Sequence, residues 1–329
     1  ATILGIESTA HTFGVAVVKD GKILSNVKRS YKTEKGGIIP MEAAKHHREN
    51  KEKVYSESLE EAGIKEKDID AVAISQGPGL APCLLQGMAL AKELAEKLKR
   101  PLVPVNHCIA HLEIGRITGA KDPVMLYASG ANTQIIAYAS GKFRVFGETL
   151  DMGIGNFIDT FARYVGIGFP GGPLIEELAL EKGRQLIKLP YKVKGMDISL
   201  SGILTNLKQK LESGKYELKN LAFSLQENVF PMLVEVSERA LAHVGKKELL
   251  LGGGVACNKR LQEMCRIMCD ERNAKLFCPE NQLLVDNGAM IAYLGEIMFK
   301  TGIGFEGKEI DRLDILPRQR TDDVDVGWR

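Results

Sequence analysis

Two histidines four residues apart, His107 and His111, stand in the stretch Asn106-His107-Cys108-Ile109-Ala110-His111, where an apolar strand pattern gives way to a helical one. On a helix this spacing stacks both imidazoles on one face, about one turn apart. Two neutral imidazoles so placed can chelate a borderline metal ion, and a carboxylate from elsewhere would complete a site with an open coordination position. The pair alone suits a solvated surface feature equally well. Its setting, among glycine-rich turns at strand ends, favours the metal.

Those turns offer a second chemistry. Gly5-Ile6-Glu7-Ser8-Thr9 and Ser129-Gly130-Ala131-Asn132-Thr133 each put Ser and Thr hydroxyls and small residues at a strand end, the composition of a phosphate-binding loop. Either alone reads as a hairpin with a polar tip; as a matched pair they point to phosphate. Gly252-Gly253-Gly254 is costly in chain entropy and is tolerated where a ligand or another backbone must come close. A purine over this turn, with Asn258 reaching it from the next helix, is the reading we carry forward, while Gly77-Pro78-Gly79 reads as a plain strand-to-helix turn. Asp159, Gly171-Gly172-Pro173 and Glu176 supply acids that can accept from ribose hydroxyls. Lys188, Lys192 and Lys194 beside Pro190-Tyr191 form a small basic patch able to touch a phosphate backbone. Asp286, before Asn287-Gly288-Ala289-Met290, occupies a helix-start position where a lone Asp is ordinarily an N-cap.

The elements that must hold these residues repeat. Strands over 3–7, 13–18 and 23–27 form a meander, followed by a helix between Gly36 and Gly63, a buried strand at 71–75, a helix over 84–98 and a strand leading into the histidine helix. The meander recurs: Ser8 and Ser129 are 121 apart, Thr12 and Thr133 are 121 apart, and Gly21 and Gly141 are 120 apart. The run Glu248–Gly254, followed by a helix from about Asn258, echoes the strand, turn and helix at 71–98, at an offset larger by about 55 residues. The second copy therefore carries a helical insertion, between about 150 and 220. The fold class is α/β, a duplicated ribonuclease-H-like fold of the kind shared by actins, sugar kinases and the large heat-shock ATPases, with two subdomains around a nucleotide cleft. We assign 1–105 plus 287–329 to the first subdomain and 106–286 to the second.

At 329 residues, 44% hydrophobic and 26% charged, the chain can bury sizeable cores. A net charge of +2 gives no strong pull toward nucleic acid, so any RNA contact must come from local patches or from a partner. The first residues read as a strand and not as a secretory signal, and no apolar run is long enough to cross a bilayer, so a cytoplasmic protein with no membrane role is expected. Six cysteines lack the paired spacing of a zinc ribbon or redox motif and read as buried free thiols.

With HCIAH at 107–111, YASGAN at 127–132, the triple glycine with Asn258, and VDNGAM at 285–290, the chain resembles the universal tRNA threonylcarbamoyltransferase family, of the TsaD type, long catalogued as O-sialoglycoprotein endopeptidases. The resemblance spans residues 3 to about 320, and the lack of a fused kinase suggests the archaeal form. It implies His107, His111 and Asp286 as ligands of one transition metal ion, iron ranked ahead of zinc, with Tyr127 as a further contact. It also implies Tyr127, Ala128, Ser129, Gly130 and Ala131 as the phosphate loop, and Asp159, Gly172, Glu176, Gly253 and Asn258 as further positions for an adenine nucleotide, either ATP or threonylcarbamoyl-adenylate. The implied reaction moves the threonylcarbamoyl group from its adenylate to the exocyclic amine of the tRNA adenosine beside the anticodon, with metal assistance. The implied partners are tRNA, a small atypical protein kinase and two small accessory subunits. Glu7 and His11, at the first loop, are the side chains we assign to proton abstraction. A zinc peptidase would carry its general-base glutamate directly after the first histidine, where this chain has Cys108. A nucleotide-switched binding module is the third reading; it needs phosphate loops but no metal, so metal content separates it.

Overall fold

The computed structural model describes residues 1–329, which form two compact units: Ala1–Tyr31, Ile38–Ile114 and Asp286–Arg329 in the first, Lys32–Gly37 and Gly115–Val285 in the second. The first begins with β1 (Thr2–Glu7), β2 (Thr12–Lys19) and β3 (Lys22–Ser30), an antiparallel meander. Its tight turn places Asp20 at φ 50° and Gly21 at φ 75°, the doubly positive geometry that matches the twist of a two-residue hairpin. Helix α1 (Pro40–Ala62) starts on a proline and ends on Gly63 at φ 64°, whose N–H caps the carbonyls of Glu60 and Leu59. Then come β4 (Ala71–Gly77), α2 (Ala81–Leu98), β5 (Leu102–Asn106) and α3 (His107–Glu113). The sheet order is β3-β2-β1-β4-β5, with β4 parallel to β1 and β5 parallel to β4. All six residues of β1 are buried, as expected of a central strand covered on both faces.

The second unit repeats the plan. Strands β6 (Val124–Ala128), β7 (Thr133–Ala139) and β8 (Lys142–Glu148) form the meander, with Ser140 at φ 52° and Gly141 at φ 80° in the equivalent turn. The expected insertion follows as α4 (Ile154–Tyr164), α5 (Gly172–Leu180), the small hairpin β9 (Val193–Lys194) and β10 (Asp197–Ile198), and α6 (Ser201–Glu212). Helix α7 (Leu218–Val244), β11 (Glu248–Gly252), α8 (Lys259–Glu271), β12 (Lys275–Phe277) and the short α9 (Asn281–Leu284) complete it. Its sheet, β12-β11-β6-β7-β8, has the connectivity of the first, and with it the duplicated ribonuclease-H-like fold is complete. The chain then returns to the first unit with α10 (Gly288–Lys300) and α11 (Lys308–Arg312).

Helix α10 lies directly on β1. A Cβ on Gly5 would stand 2.3 Å from the Ala292 nitrogen and 2.5 Å from the Gly288 carbonyl oxygen, so only glycine admits this approach. Because α3 follows β5 without a break and packs against α10, the histidine helix belongs to the first unit. The unit boundaries thus fall after Ile114 and before Asp286, and not after 105 and after 286 as the sequence pattern suggests; tertiary packing of α3, invisible in the sequence, decides the difference. Residues 317–329 dock on their own unit. Trp328 is 9% exposed and Arg329 Nε lies 2.8 Å from Glu113 Oε1 at the end of α3.

Candidate functional site

Helix α3 is set by Asn106, whose side-chain oxygen accepts the Ile109 N–H at 3.0 Å while its amide donates to Gln319 Oε1 at 3.0 Å. One face then carries His107 and His111, 4% and 1% exposed, with ring centroids 4.8 Å apart. The N-cap of α10 is Asn287, which accepts the Met290 N–H at 3.0 Å. Asp286, one residue earlier, is therefore not the cap that a lone Asp at a helix start suggests. Its Oδ1 instead lies 3.4 Å from His107 Nε2 and 3.3 Å from His111 Nε2. The three ligand-type atoms all fall within 4.8 Å of one another, a spread that an ion drawing them to about 2.0–2.2 Å would bridge.

The electrostatics suit that donor set. Burial pulls the His111 pKa below its ordinary value, which keeps the imidazole neutral and its lone pair available. Burial pushes the Asp286 carboxyl up, but the charge and hydrogen bonds of His107 and His111 outweigh this and hold it well below the usual carboxylate range. Neutral imidazoles and an ionised carboxylate are the forms that ligate a divalent ion.

Glu7 stands behind His107. It is fully buried; its Oε1 accepts from the Thr9 N–H at 2.7 Å and the Thr9 hydroxyl at 2.5 Å, and its Oε2 lies 2.9 Å from His107 Nδ1. The first hairpin tip thus closes on a carboxylate from its own strand, with the Ser8 N–H given to Ser75 Oγ at 3.1 Å. This departs from the expectation of two open phosphate loops: here the Glu7 side chain is itself the acceptor that the first tip receives. A base that must collect a proton from a substrate needs a reachable oxygen, and Glu7 is enclosed on every side. Its geometry is that of a positioning residue. His11 is half-buried beyond the strand end, on the side of His46 and His47 of α1.

The remaining residues named for a nucleotide all lie in the second unit. Tyr127 and Ala128 are buried in β6, and the loop proper is 129–132. The Ser129 N–H and hydroxyl both donate to the Asn132 carbonyl, at 3.0 and 2.8 Å, which closes the loop and leaves the N–H groups of Gly130 and Ala131 at its exposed tip without an acceptor in the protein. Two consecutive free amides make an anion nest. Gly253, at φ 89°, presses against the same loop: a Cβ there would stand 2.3 Å from the Ala128 carbonyl oxygen. The close approach that the triple glycine announces is thus made, at Gly253, to the protein's own backbone. Asn258 caps α8, accepting from Arg260 and Leu261 N–H groups, and Glu176 Oε1 accepts the Lys259 N–H at 2.8 Å. Asp159 Oδ1 accepts the Gly171 N–H at 2.8 Å, and Gly172 has open space beside it, with nothing within 4 Å of where a Cβ would stand.

Sequence reasoning missed the parts played by Thr9, Asn106 and Asn287. The last two were legible as Asn before a helical pattern, the ordinary N-cap signal.

Comparison with known proteins decides the family. The model of the family described as TsaD, tRNA N6-adenosine threonylcarbamoyltransferase, matches residues 22–293. A protein of that name from Thermococcus kodakarensis is 54% identical over 325 residues, covering 99% of each chain. The chain belongs to this threonylcarbamoyltransferase family. A second relative, from Methanocaldococcus jannaschii, is named a probable bifunctional tRNA threonylcarbamoyladenosine biosynthesis protein; it is 50% identical over 327 residues, and this chain spans 60% of its length. Among solved structures, HypF of Thermococcus kodakarensis superposes with a TM-score of 0.64 at 14% identity over 91% of this chain and 48% of that one, a likeness of fold.

Proposed function

We propose that this protein is a cytoplasmic tRNA N6-adenosine threonylcarbamoyltransferase. The observation that carries the reading is the convergence of His107, His111 and Asp286 in a chain of this family, with Glu7 fixing His107 from behind. In the transfer, the exocyclic nitrogen of the adenosine bonds to the carbamoyl carbonyl carbon, the bond from that carbon to the AMP phosphate oxygen breaks, and the amine releases one proton. An ion held by the three ligands, iron ranked ahead of zinc, would supply Lewis-acid polarisation of the carbamoyl carbonyl, which offsets the weak nucleophilicity of the aromatic amine.

The chain's own residues do the rest. Glu7 accepts from His107 Nδ1, which turns Nε2 toward Asp286 and fixes the ring. Gly130 and Ala131 N–H groups receive phosphate oxygens of the adenylate, with Ser129 shaping the loop. Asp159, Gly172, Glu176, Gly253 and Asn258 line the approach of the adenine nucleotide. A small atypical kinase and two small accessory subunits complete the assembly; the bifunctional names of three archaeal relatives support a multi-component system.

The peptidase reading lacks its general base, because the position after His107 is Cys108, 1% exposed. Supplying preformed threonylcarbamoyl-adenylate and unmodified tRNA to the protein with its partner subunits tests the assignment. We expect AMP released in step with modified tRNA; glycoprotein cleavage without modification would replace transferase by peptidase.

A further inference from the structure

Residues 181–219 hold nine lysines and arginines against four acids, a surplus of five in a chain whose whole net charge is +2. The rest of the chain is therefore net negative. Charge alone marks a solvated face as readily as a binding one, but the backbone of this segment is organised unusually. Residues 185–192 have no helix or strand, and their amides are instead taken up by side chains of α7. The N–H groups of Gln185, Ile187 and Leu189 donate to Asn220 Oδ1, Ser224 Oγ and Asn228 Oδ1 at 2.7, 2.7 and 3.5 Å, and the Asn228 amide donates back to the Ile187 carbonyl at 3.1 Å. Acceptors four residues apart on one helix face meet donors two apart on an extended chain.

Further along, the Tyr191 hydroxyl donates to Glu235 and Arg239 donates to the Gly195 carbonyl. From Asn220 to Arg239 the segment follows α7 for roughly 30 Å at a helical rise of 1.5 Å per residue. Alternation along it turns Leu189 inward, 4% exposed, and leaves Lys182, Arg184, Lys188, Lys192 and Lys194 outward. Lys188, Lys192 and Lys194 have no acidic partner within ion-pair distance. Leu186 and Tyr191, 64% and 51% exposed, stand between them.

We propose that this ridge along α7 is a docking surface for the sugar-phosphate backbone of tRNA, a claim that rests on the tRNA reading above and assigns it a place. A row of unpaired cations on a pre-ordered backbone complements an extended polyanion, and the interleaved ring and apolar side chain suit an unstacked base. No base identity is read here, so the ridge serves tRNAs of any sequence alike.

The test compares K188E/K192E/K194E with a control of equal charge change, K45E/K99E/K308E, in the first unit. The 329-residue chains are titrated with unmodified tRNA by filter binding at several salt concentrations, with circular dichroism to check folding. The ridge variant should bind at least tenfold more weakly at low salt, and the slope of log affinity against log salt should fall by about 2, at about 0.7 per lost single-strand phosphate contact. The control should stay within threefold of the parent chain. Equal affinity and slope for ridge variant and parent would overturn the proposal, including the case in which the ridge serves an acidic protein. So would an equal loss in both variants. Loss of transfer by the parent chain with tRNA binding still sensitive to the ridge would sink the transferase reading alone.

Discussion

His107 Nδ1 and Glu7 Oε2, 100 residues apart in sequence, lie 2.9 Å apart in a fully buried contact. The hydrogen bond fixes which ring nitrogen carries the proton and aims Nε2 at Asp286. Glu7 is itself held by the Thr9 amide and hydroxyl, so the first hairpin tip acts as the support of one ligand. Glu7→Gln, which keeps the shape and loses the strong acceptor, is expected to weaken cobalt(II) binding about 10- to 100-fold. Equilibrium titration followed by the cobalt absorption bands measures it, and parent-like affinity would remove Glu7 from the site.

Gly253 and Gly172, both proposed to approach the nucleotide, separate folding from binding. Gly253→Ala places a Cβ 2.3 Å from the Ala128 carbonyl oxygen at φ 89°, so it should cost at least about 2 kcal/mol of stability, of the order expected for strained backbone. Gly172→Ala meets nothing within 4 Å and should leave the denaturation midpoint in place. If nucleotide approaches there, the same Gly172→Ala protein should bind ATP several-fold more weakly by calorimetry. Unchanged ATP affinity would take Gly172 out of the site.

The duplicated fold was legible because it is written in local chemistry: the Asp20-Gly21 and Ser140-Gly141 turns force the same hairpin twice, and the glycine turns end the same strands. Less was legible where direction matters. Nothing in the run Glu7-Ser8-Thr9 says that the carboxylate folds back onto its own amides, so Glu7 reads as a base and proves to be enclosed. Asp286 and Asn287 are both good caps, and only the structure shows that Asn287 takes the cap and leaves Asp286 to face the histidines. The segment 185–192 lacks any periodicity of its own. Its partner signal, Asn220, Ser224 and Asn228 at a four-residue spacing on α7, becomes readable only once the two are known to touch.

Acid should destabilise the first unit through His47. It is fully buried, its Nε2 donates to the Ala10 carbonyl at 2.7 Å, and burial lowers its pKa from 6.5 to about 4, with the Ala10 hydrogen bond opposing and His46 and His11 adding to the shift. Between those values the folded chain binds fewer protons than the unfolded chain, so stability falls as pH drops from 6.5 toward 4, by at most about 3 kcal/mol from this group. Urea midpoints at pH 7 and pH 5 should differ more in the parent than in His47→Gln. Equal pH dependence in the two would assign the acid sensitivity elsewhere.

The central claim, that the His107, His111 and Asp286 cluster serves threonylcarbamoyl transfer to tRNA, is tested most directly by mass spectrometry of nucleosides from tRNA treated with adenylate, partner subunits and either the parent chain or Asp286→Ala. Because Asn287 and not Asp286 caps α10, the substitution should leave the start of that helix intact while it removes one ligand. The account predicts threonylcarbamoyladenosine with the parent chain and a loss of 100-fold or more in rate with a folded, metal-poor Asp286→Ala. Full-rate modification by that variant, or none by the parent assembly, would contradict it.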